Sequence, residues 1–302
     1  MKKSVIIYVL ATSLIFSTME VALKLAGDSL DALQMNFLRF FIGNLFLLPF
    51  AVHGLKKRGV KLTAGDFGHM FLVGFLCVGV AMLFFQLGVM NTHASSVAVI
   101  FCCNPLFTLL FAHFVAGEKM TPRKGVALAI CLVGLVFIVN PMSFTAGDNT
   151  KGMLLTIIAA VFFGLSAAVG KRRIAKIGGL AQTSIGGLLG SGAVLIILLI
   201  LNKPVFAGVE EVSLPVFLYI CIVATGVGYF FFYKSLEVGG AFAAAIVFFM
   251  KPIFAPIVAI LVLRETITSN VLCGIVLILI ASAISLNLVG KIREKRNGSE
   301  KI

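Results

Sequence analysis

Residues 98–105 read Ala98-Val99-Ile100-Phe101-Cys102-Cys103-Asn104-Pro105, and residues 245–252 read Ala245-Ile246-Val247-Phe248-Phe249-Met250-Lys251-Pro252. The two stretches lie 147 positions apart, and the same offset carries outward without a gap. It pairs Phe84-Phe85 with Phe231-Phe232, Phe16 with Phe163, Lys24 with Lys171 and Glu118 with Glu265. An internal repeat of this length marks a duplicated structural unit. Apolar runs surround both stretches at residues 4–25, 30–52, 67–90, 93–116, 123–141, 152–173, 180–201, 213–236, 239–263 and 269–290. Each is close to the ~20 residues that a helix needs to cross a ~30 Å hydrocarbon core.

Composition agrees, with 60% hydrophobic and 12% charged residues and a mean hydropathy of +1.10. No water reaches backbone groups inside a bilayer, so spans of this length are read as helices. Five spans per copy is an odd number, which turns the second copy upside down. The expected fold class is therefore all-α integral membrane: ten transmembrane helices as two inverted five-helix repeats around a central cavity. The expected units are residues 1–147, residues 148–290 and a basic tail, 291–302. Lys2-Lys3 before the first run resembles a signal peptide. Glu20 and Lys24 interrupt that run, however, no small-residue cleavage site follows it, and the repeat requires it.

Lys and Arg are retained on the cytoplasmic side of short loops. A cytoplasmic N-terminus gathers Lys2, Lys3, Lys56, Lys57, Arg58, Lys61, Lys119, Arg123, Lys124, Lys171, Arg172, Arg173, Lys176, Lys234 and the tail cations there, and leaves only Lys24, Lys151, Lys203 and Arg264 outside. The expected location is a bacterial inner membrane with both termini cytoplasmic. The net charge of +13 then reads as a topology signal and an attraction to anionic membrane lipid. Nothing presents a basic aromatic patch to nucleic acid.

The six cysteines fall within spans and lack zinc or redox spacing. No phosphate-binding loop, nucleophile elbow or paired metal-binding histidine is present, so neither an enzyme, a metal nor a cofactor is expected. Glycines at a spacing of four, Gly186 and Gly190, are packing devices that bring helices close. The sequence sets no oligomeric state.

Ionisable groups at membrane depth are costly and mark functional candidates. Lys251 sits mid-span before Pro252, where a cation beside a weakened helix suits a carboxylate or phosphate; the alternative is a packing ion pair. Its repeat mate Asn104 precedes Pro105, so Pro105 and Pro252 are expected as equivalent helix breaks. Gln86 and its mate Tyr233 are the inward polar members of two aromatic clusters. Together Lys251, Asn104, Gln86 and Tyr233 form the expected substrate-binding set. Glu20 and Arg39, on the first two spans, are expected to pair as a gate or clamp; an unpaired Glu20 would instead be a proton-coupling candidate.

The segment from Ala98 through Pro105 to Gly117-Glu118 with Gly125, its copy from Ala245 through Pro252 to Glu265, and Leu38-Arg39-Phe40 carry a resemblance. The chain resembles the drug/metabolite transporter superfamily, specifically its ten-helix EamA-type members. The resemblance implies two inverted five-helix halves enclosing a central cavity and a function in moving small metabolites, often the export of amino acids. One departure is plain: such proteins commonly carry a Trp-Gly pair in the first and sixth helices, where Ile15-Phe16-Ser17 and Phe162-Phe163-Gly164 stand here. The expected activity is secondary transport of amino acids or related carboxylates by alternating access. The alternatives are an exporter of organic cations with an aromatic cavity, and a receptor or scaffold that does not transport.

Overall fold

The structure is a computed structural model that describes residues 3–27, 29–139 and 149–285; the tail expected at 291–302 lies outside them. Every regular element among them is helical. Among the described residues nine helices are long and apolar enough to span a membrane: α1 (Ser4–Leu25), α2 (Ala32–Lys57), α3 (Ala64–Asn91), α4 (Ala94–Val115), α5 (Pro122–Val139), α6 (Thr150–Ile177), α7 (Gly179–Ile200), α8 (Leu214–Gly239) and α9 (Ile246–Leu263). A shorter apolar helix, α10 (Ser269–Ser285), makes ten. Large apolar side chains such as Phe114, Val136, Ile200 and Leu261 face outward, while Glu20, Arg39, Asn104 and Lys251 are buried. This inside-out distribution belongs to a protein whose solvent is lipid.

The two halves are inverted, as two equivalent glutamates show. Glu265 accepts a hydrogen bond from the Ala94 backbone N–H at the start of α4, at 2.7 Å. Its repeat mate Glu118 lies just past the other end of that same helix. Equivalent residues therefore occupy opposite faces. We call the face holding the start of α1 the Lys3 face.

Residues Gly228–Leu263 are helical throughout, across α8 and α9. The rings of Phe232 and Phe248 nevertheless have centroids 5.7 Å apart. Those positions would be separated by about 24 Å in a straight helix, so the chain reverses between them. Phe16 of α1 packs against both rings and fixes this hairpin.

Helices α3 and α7 cross at glycines. A Cβ on Gly74 would fall 1.7 Å from the Gly186 carbonyl oxygen, and one on Gly190 would fall 2.4 Å from that of Gly74. Close backbone approach of this kind is what small residues permit in a membrane, where apolar burial drives little helix association.

The two prolines behave differently, which corrects the expected symmetry. Around Pro105 the helix divides into Ala94–Phe101 and Asn104–Ala116. Pro105 has no N–H for the carbonyl of Phe101 four residues back; the Asn104 side-chain amide donates to that oxygen instead, at 2.7 Å. Pro252 does not break its helix and lies inside the helical stretch Gly228–Leu263. The lost donor there affects one bond only, and buried neighbours within a membrane bundle hold such a turn in place.

Each half also carries a π-helical segment in its third span, Phe75–Ala81 in α3 and Tyr219–Val227 in α8. The 147-residue offset brings the two into overlap. Such insertions are rare and often accompany functional sites.

Candidate functional site

Thr18 separates the helical segments Lys3–Ser17 and Met19–Leu25 within the first span. Its hydroxyl donates to the Ile15 carbonyl at 2.8 Å, a local bond that competes with helical geometry. In the first turn of the second segment stands Glu20, whose Oε1 accepts from Lys251 Nζ at 2.6 Å. Both residues are buried, Glu20 at 1% exposure and Lys251 at 5%. The ammonium also lies 5.6 Å from the ring centroid of Phe101 and 5.9 Å from that of Phe85. This ion pair ties the first span of one half to the ninth span of the other.

The expected bridge between Glu20 and Arg39 is thus replaced. Arg39 is 1% exposed, and its guanidinium lies 4.6 Å from the Phe40 centroid and 5.6 Å from that of Phe85. Nη1 reaches only the Met19 sulfur, at 3.8 Å. Among the described residues, Nε and Nη2 of Arg39 and Oε2 of Glu20 have no hydrogen-bond partner. The physical reason is competition: Lys251 offers a compact, strongly localised charge and takes the carboxylate, while the planar guanidinium lies against aromatic faces. The cluster holds two cations and one carboxylate.

On the Lys3 side of this cluster lies a small cavity of about 100 Å³. Both halves line it, through Phe40, Asn44, Phe163, Gln182, Tyr229 and Tyr233 among others. Phe40 and Phe163 are shared walls. The Phe40 ring meets Arg39, and Phe163 packs edge to face on Phe101 at 5.2 Å, whose ring in turn meets Lys251. One aromatic layer therefore separates the charged cluster from the cavity.

Of the expected binding residues, Tyr233 lines the cavity, with its hydroxyl bonded to that of Thr183. Lys251 stands beyond the aromatic layer. Asn104 serves its own helix through the Phe101 carbonyl. Gln86 is buried with Oε1 lacking a partner, and it does not line the cavity. Residues not singled out in the sequence, Asn44, Gln182 and Tyr229, do line it. The aromatic cluster from Tyr229 through Tyr233 was the available signal for Tyr229; Asn44 and Gln182 carry no comparable mark.

On the face opposite Lys3, Glu265 closes the two halves together. Its carboxylate accepts from the backbone N–H of Ala94 at 2.7 Å, from that of Ser95 at 3.0 Å and from the Ser95 hydroxyl at 2.6 Å, with His93 Nδ1 at 3.5 Å. A carboxylate on these N-terminal donors of α4 is favoured by unsatisfied N–H groups and by the helix dipole. Burial alone would raise the Glu265 pKa, but the bonds from His93, Ser95 and Ala94 outweigh it and hold the group down at about 2. The mate Glu118 faces Lys171 at 2.9 Å and Lys124 at 3.9 Å, and is half-exposed. The hydrogen bond from Lys171 lowers its pKa despite partial burial.

A depressed carboxyl pKa contributes stability that is present above the unfolded value and lost as the pH falls through the folded one. The Glu265 contribution is accordingly full above about 4.5 and fades toward about 2. Thermal unfolding of purified protein across that window measures it. Glu265→Gln is expected to unfold earlier at neutral pH and to flatten the acid side of the profile.

The comparisons with known proteins agree with this architecture. The EamA-like transporter family matches residues 3–140 and again residues 150–287. An uncharacterized transporter of Clostridium kluyveri is 36% identical over 291 residues, covering 94% of this chain and 93% of that protein. An S-adenosylmethionine uptake transporter of Rickettsia prowazekii is 28% identical over 157 residues, covering 52% of this chain and 51% of that protein. A crystal structure superposes with a TM-score of 0.63 at 16% identity, covering 95% of this chain and 99% of its own, and shares the fold.

Proposed function

Since the chain belongs to the EamA-like transporter family, we propose that it moves small amino-acid-type zwitterions or related carboxylates across a bacterial inner membrane by alternating access. The observation that supports this most is the charge count of the buried cluster. Lys251 and Arg39 face one carboxylate, Glu20, and two guanidinium nitrogens of Arg39 remain unpartnered. A substrate carboxylate balances the excess cation and fits the guanidinium fork; a substrate ammonium is attracted to the free oxygen of Glu20. In this reading Lys251, Arg39 and Glu20 bind charge, and the Glu20–Lys251 pair opens to admit substrate, coupling binding to movement of one half against the other.

Orientation follows from the loop cations. Lys56, Lys57, Arg58, Lys61, Lys119, Lys124, Lys171, Arg172, Arg173 and Lys176 all fall at helix ends of the Lys3 face, which we take as cytoplasmic. The cavity lies in that half of the protein: Thr183 is about one turn from the start of α7 at Gly179. This arrangement is the loading state for export. Opening the other face requires Glu265 to release the start of α4.

The Rickettsia relatives are named for uptake of S-adenosylmethionine, itself an amino acid that also carries a sulfonium cation. That cation keeps a second reading in view, organic cations held by Glu20 and the rings of Phe85 and Phe101. Proteoliposome flux of labelled amino acids, challenged with unlabelled carboxylates and with quaternary amines, separates the two. Competition by carboxylates supports the proposal; competition by quaternary amines alone overturns it.

A further inference from the structure

We propose that the cavity receives the uncharged end of the substrate and that Gln182 is a specificity-determining residue there, accepting a hydrogen bond from a neutral, donor-bearing side group such as a carboxamide or an aminopurine. This rests on the reading that Lys251 and Arg39 hold the substrate carboxylate, and it requires the aromatic layer of Phe40, Phe101 and Phe163 between them and the cavity to part around the bound substrate.

None of the residues lining the cavity carries a charge. A second carboxylate, a phosphate or an ammonium placed there would lose its hydration without gaining a partner of opposite sign, a cost of several kcal/mol. Dicarboxylates, phosphorylated metabolites and diamines are therefore disfavoured at this end, although the charged cluster alone would attract some of them.

Most of the polar capacity of the cavity is already spent within the protein. The Asn44 amide donates to the Phe40 carbonyl at 2.8 Å, the Ser166 hydroxyl donates to the Phe163 carbonyl at 2.8 Å, and the Thr183 and Tyr233 hydroxyls bond each other. The Asn44 Oδ1 accepts no hydrogen bond among the described residues, and two further groups stand apart. Gln182 is 8% exposed, and its Oε1 is buried with no partner. The Tyr229 hydroxyl has no hydrogen bond among the described residues, and its ring is fixed edge to face against Phe16 at 5.3 Å. An unmet buried acceptor costs about 1–3 kcal/mol, which a ligand N–H or O–H recovers on binding.

Gln182 and Tyr229 line one space; the Gln182 Oε1 is sealed in its wall here, and a turn of the amide toward the space sets it beside the Tyr229 hydroxyl, to complement a group that presents a donor beside an acceptor. Carboxamides and aminopurines share that edge and are uncharged at neutral pH. The flat rings of Phe40 and Phe163 bound the same space and accommodate either group on its planar face. Selectivity of this kind follows from leaving the acceptor unpaired when the wrong substrate binds, not from added apolar contact.

The test uses the full-length protein in proteoliposomes and four probes: L-glutamine, L-methionine, L-glutamate and S-adenosylmethionine. Methionine matches glutamine in length and lacks the donor; glutamate replaces the carboxamide with a charge. The wild type is expected to favour glutamine, S-adenosylmethionine or both over methionine by about tenfold in kcat/KM, the effect of one hydrogen bond, and to disfavour glutamate. Which of the two is favoured distinguishes the carboxamide from the aminopurine. Gln182→Leu is expected to bring the preference close to unity, and an unfolding temperature close to that of the wild type in detergent reports an intact fold. The proposal is overturned by an unchanged preference in Gln182→Leu, by absence of any preference in the wild type, or by glutamate outperforming glutamine. If no amino acid is carried at all, the carboxylate reading itself fails and this proposal with it. If amino acids are carried but Gln182→Leu changes nothing, only the present proposal falls.

Discussion

Arg39→Leu is expected to leave the protein at least as stable as the wild type while removing carboxylate transport. Arg39 is buried without an ion pair, and its Nε and Nη2 lack acceptors. Orphaned donors of this kind cost roughly 1–3 kcal/mol each, against about 0.5–2 kcal/mol returned by stacking on Phe40 and Phe85. Leucine removes both terms and leaves Glu20 paired with Lys251. Thermal unfolding in detergent is expected to stay level or move upward. Flux in proteoliposomes is expected to fall by at least about 30-fold, as loss of ~2 kcal/mol of carboxylate contact predicts. Loss of stability together with flux would mark Arg39 as a packing residue.

The second large effect lies in the Glu20–Lys251 pair, and single variants alone do not reveal its role. Lys251→Met leaves the Glu20 carboxylate buried and unpaired, and Glu20→Gln does the same to the ammonium. Breaking one side of a buried pair costs about 3–5 kcal/mol, whereas neutralising both sides is often close to neutral. Each single variant is therefore expected to unfold earlier, and Glu20→Gln with Lys251→Met to recover most of the loss. If the pair binds substrate charge, the double variant folds and carries nothing. If the pair serves packing only, the double variant transports like the wild type. Unfolding temperature and flux, read together across the four proteins, give the pairwise coupling and the function separately.

The architecture was legible because it is written in periodic terms. Apolar runs near 20 residues and a gapless offset of 147 specify ten helices and two copies, and the odd number of spans per copy specifies inversion. The ionisable residues at depth were legible for the same reason, since charge inside apolar runs stands out. Their pairing was not. Glu20 has two cations, on the second and ninth spans, to choose between, and the choice of Lys251 over Arg39 depends on how α1 and α9 pack, which no local pattern encodes. The repeat also misled at the prolines: Asn104 can replace the donor that Pro105 removes, while Lys251 is engaged with Glu20 and its helix continues through Pro252. Gln182 and Asn44 became visible only when two halves closed around them, because an amide within an apolar helix looks alike whether it caps a neighbour or lines a hollow.

The claim on which the account turns is that the buried cations hold a substrate carboxylate. Ligand-induced stabilisation of purified protein tests it most directly, since a ligand bound only by the native state raises apparent stability with its concentration. The wild type and Arg39→Leu are melted in detergent against zwitterionic amino acids, the same compounds decarboxylated to amines, and quaternary amines. The account predicts that one or more amino acids raise the unfolding temperature of the wild type, that their decarboxylated forms do not, and that Arg39→Leu is indifferent to all three classes. Stabilisation by the amines, or equal stabilisation of Arg39→Leu by the amino acids, would contradict it.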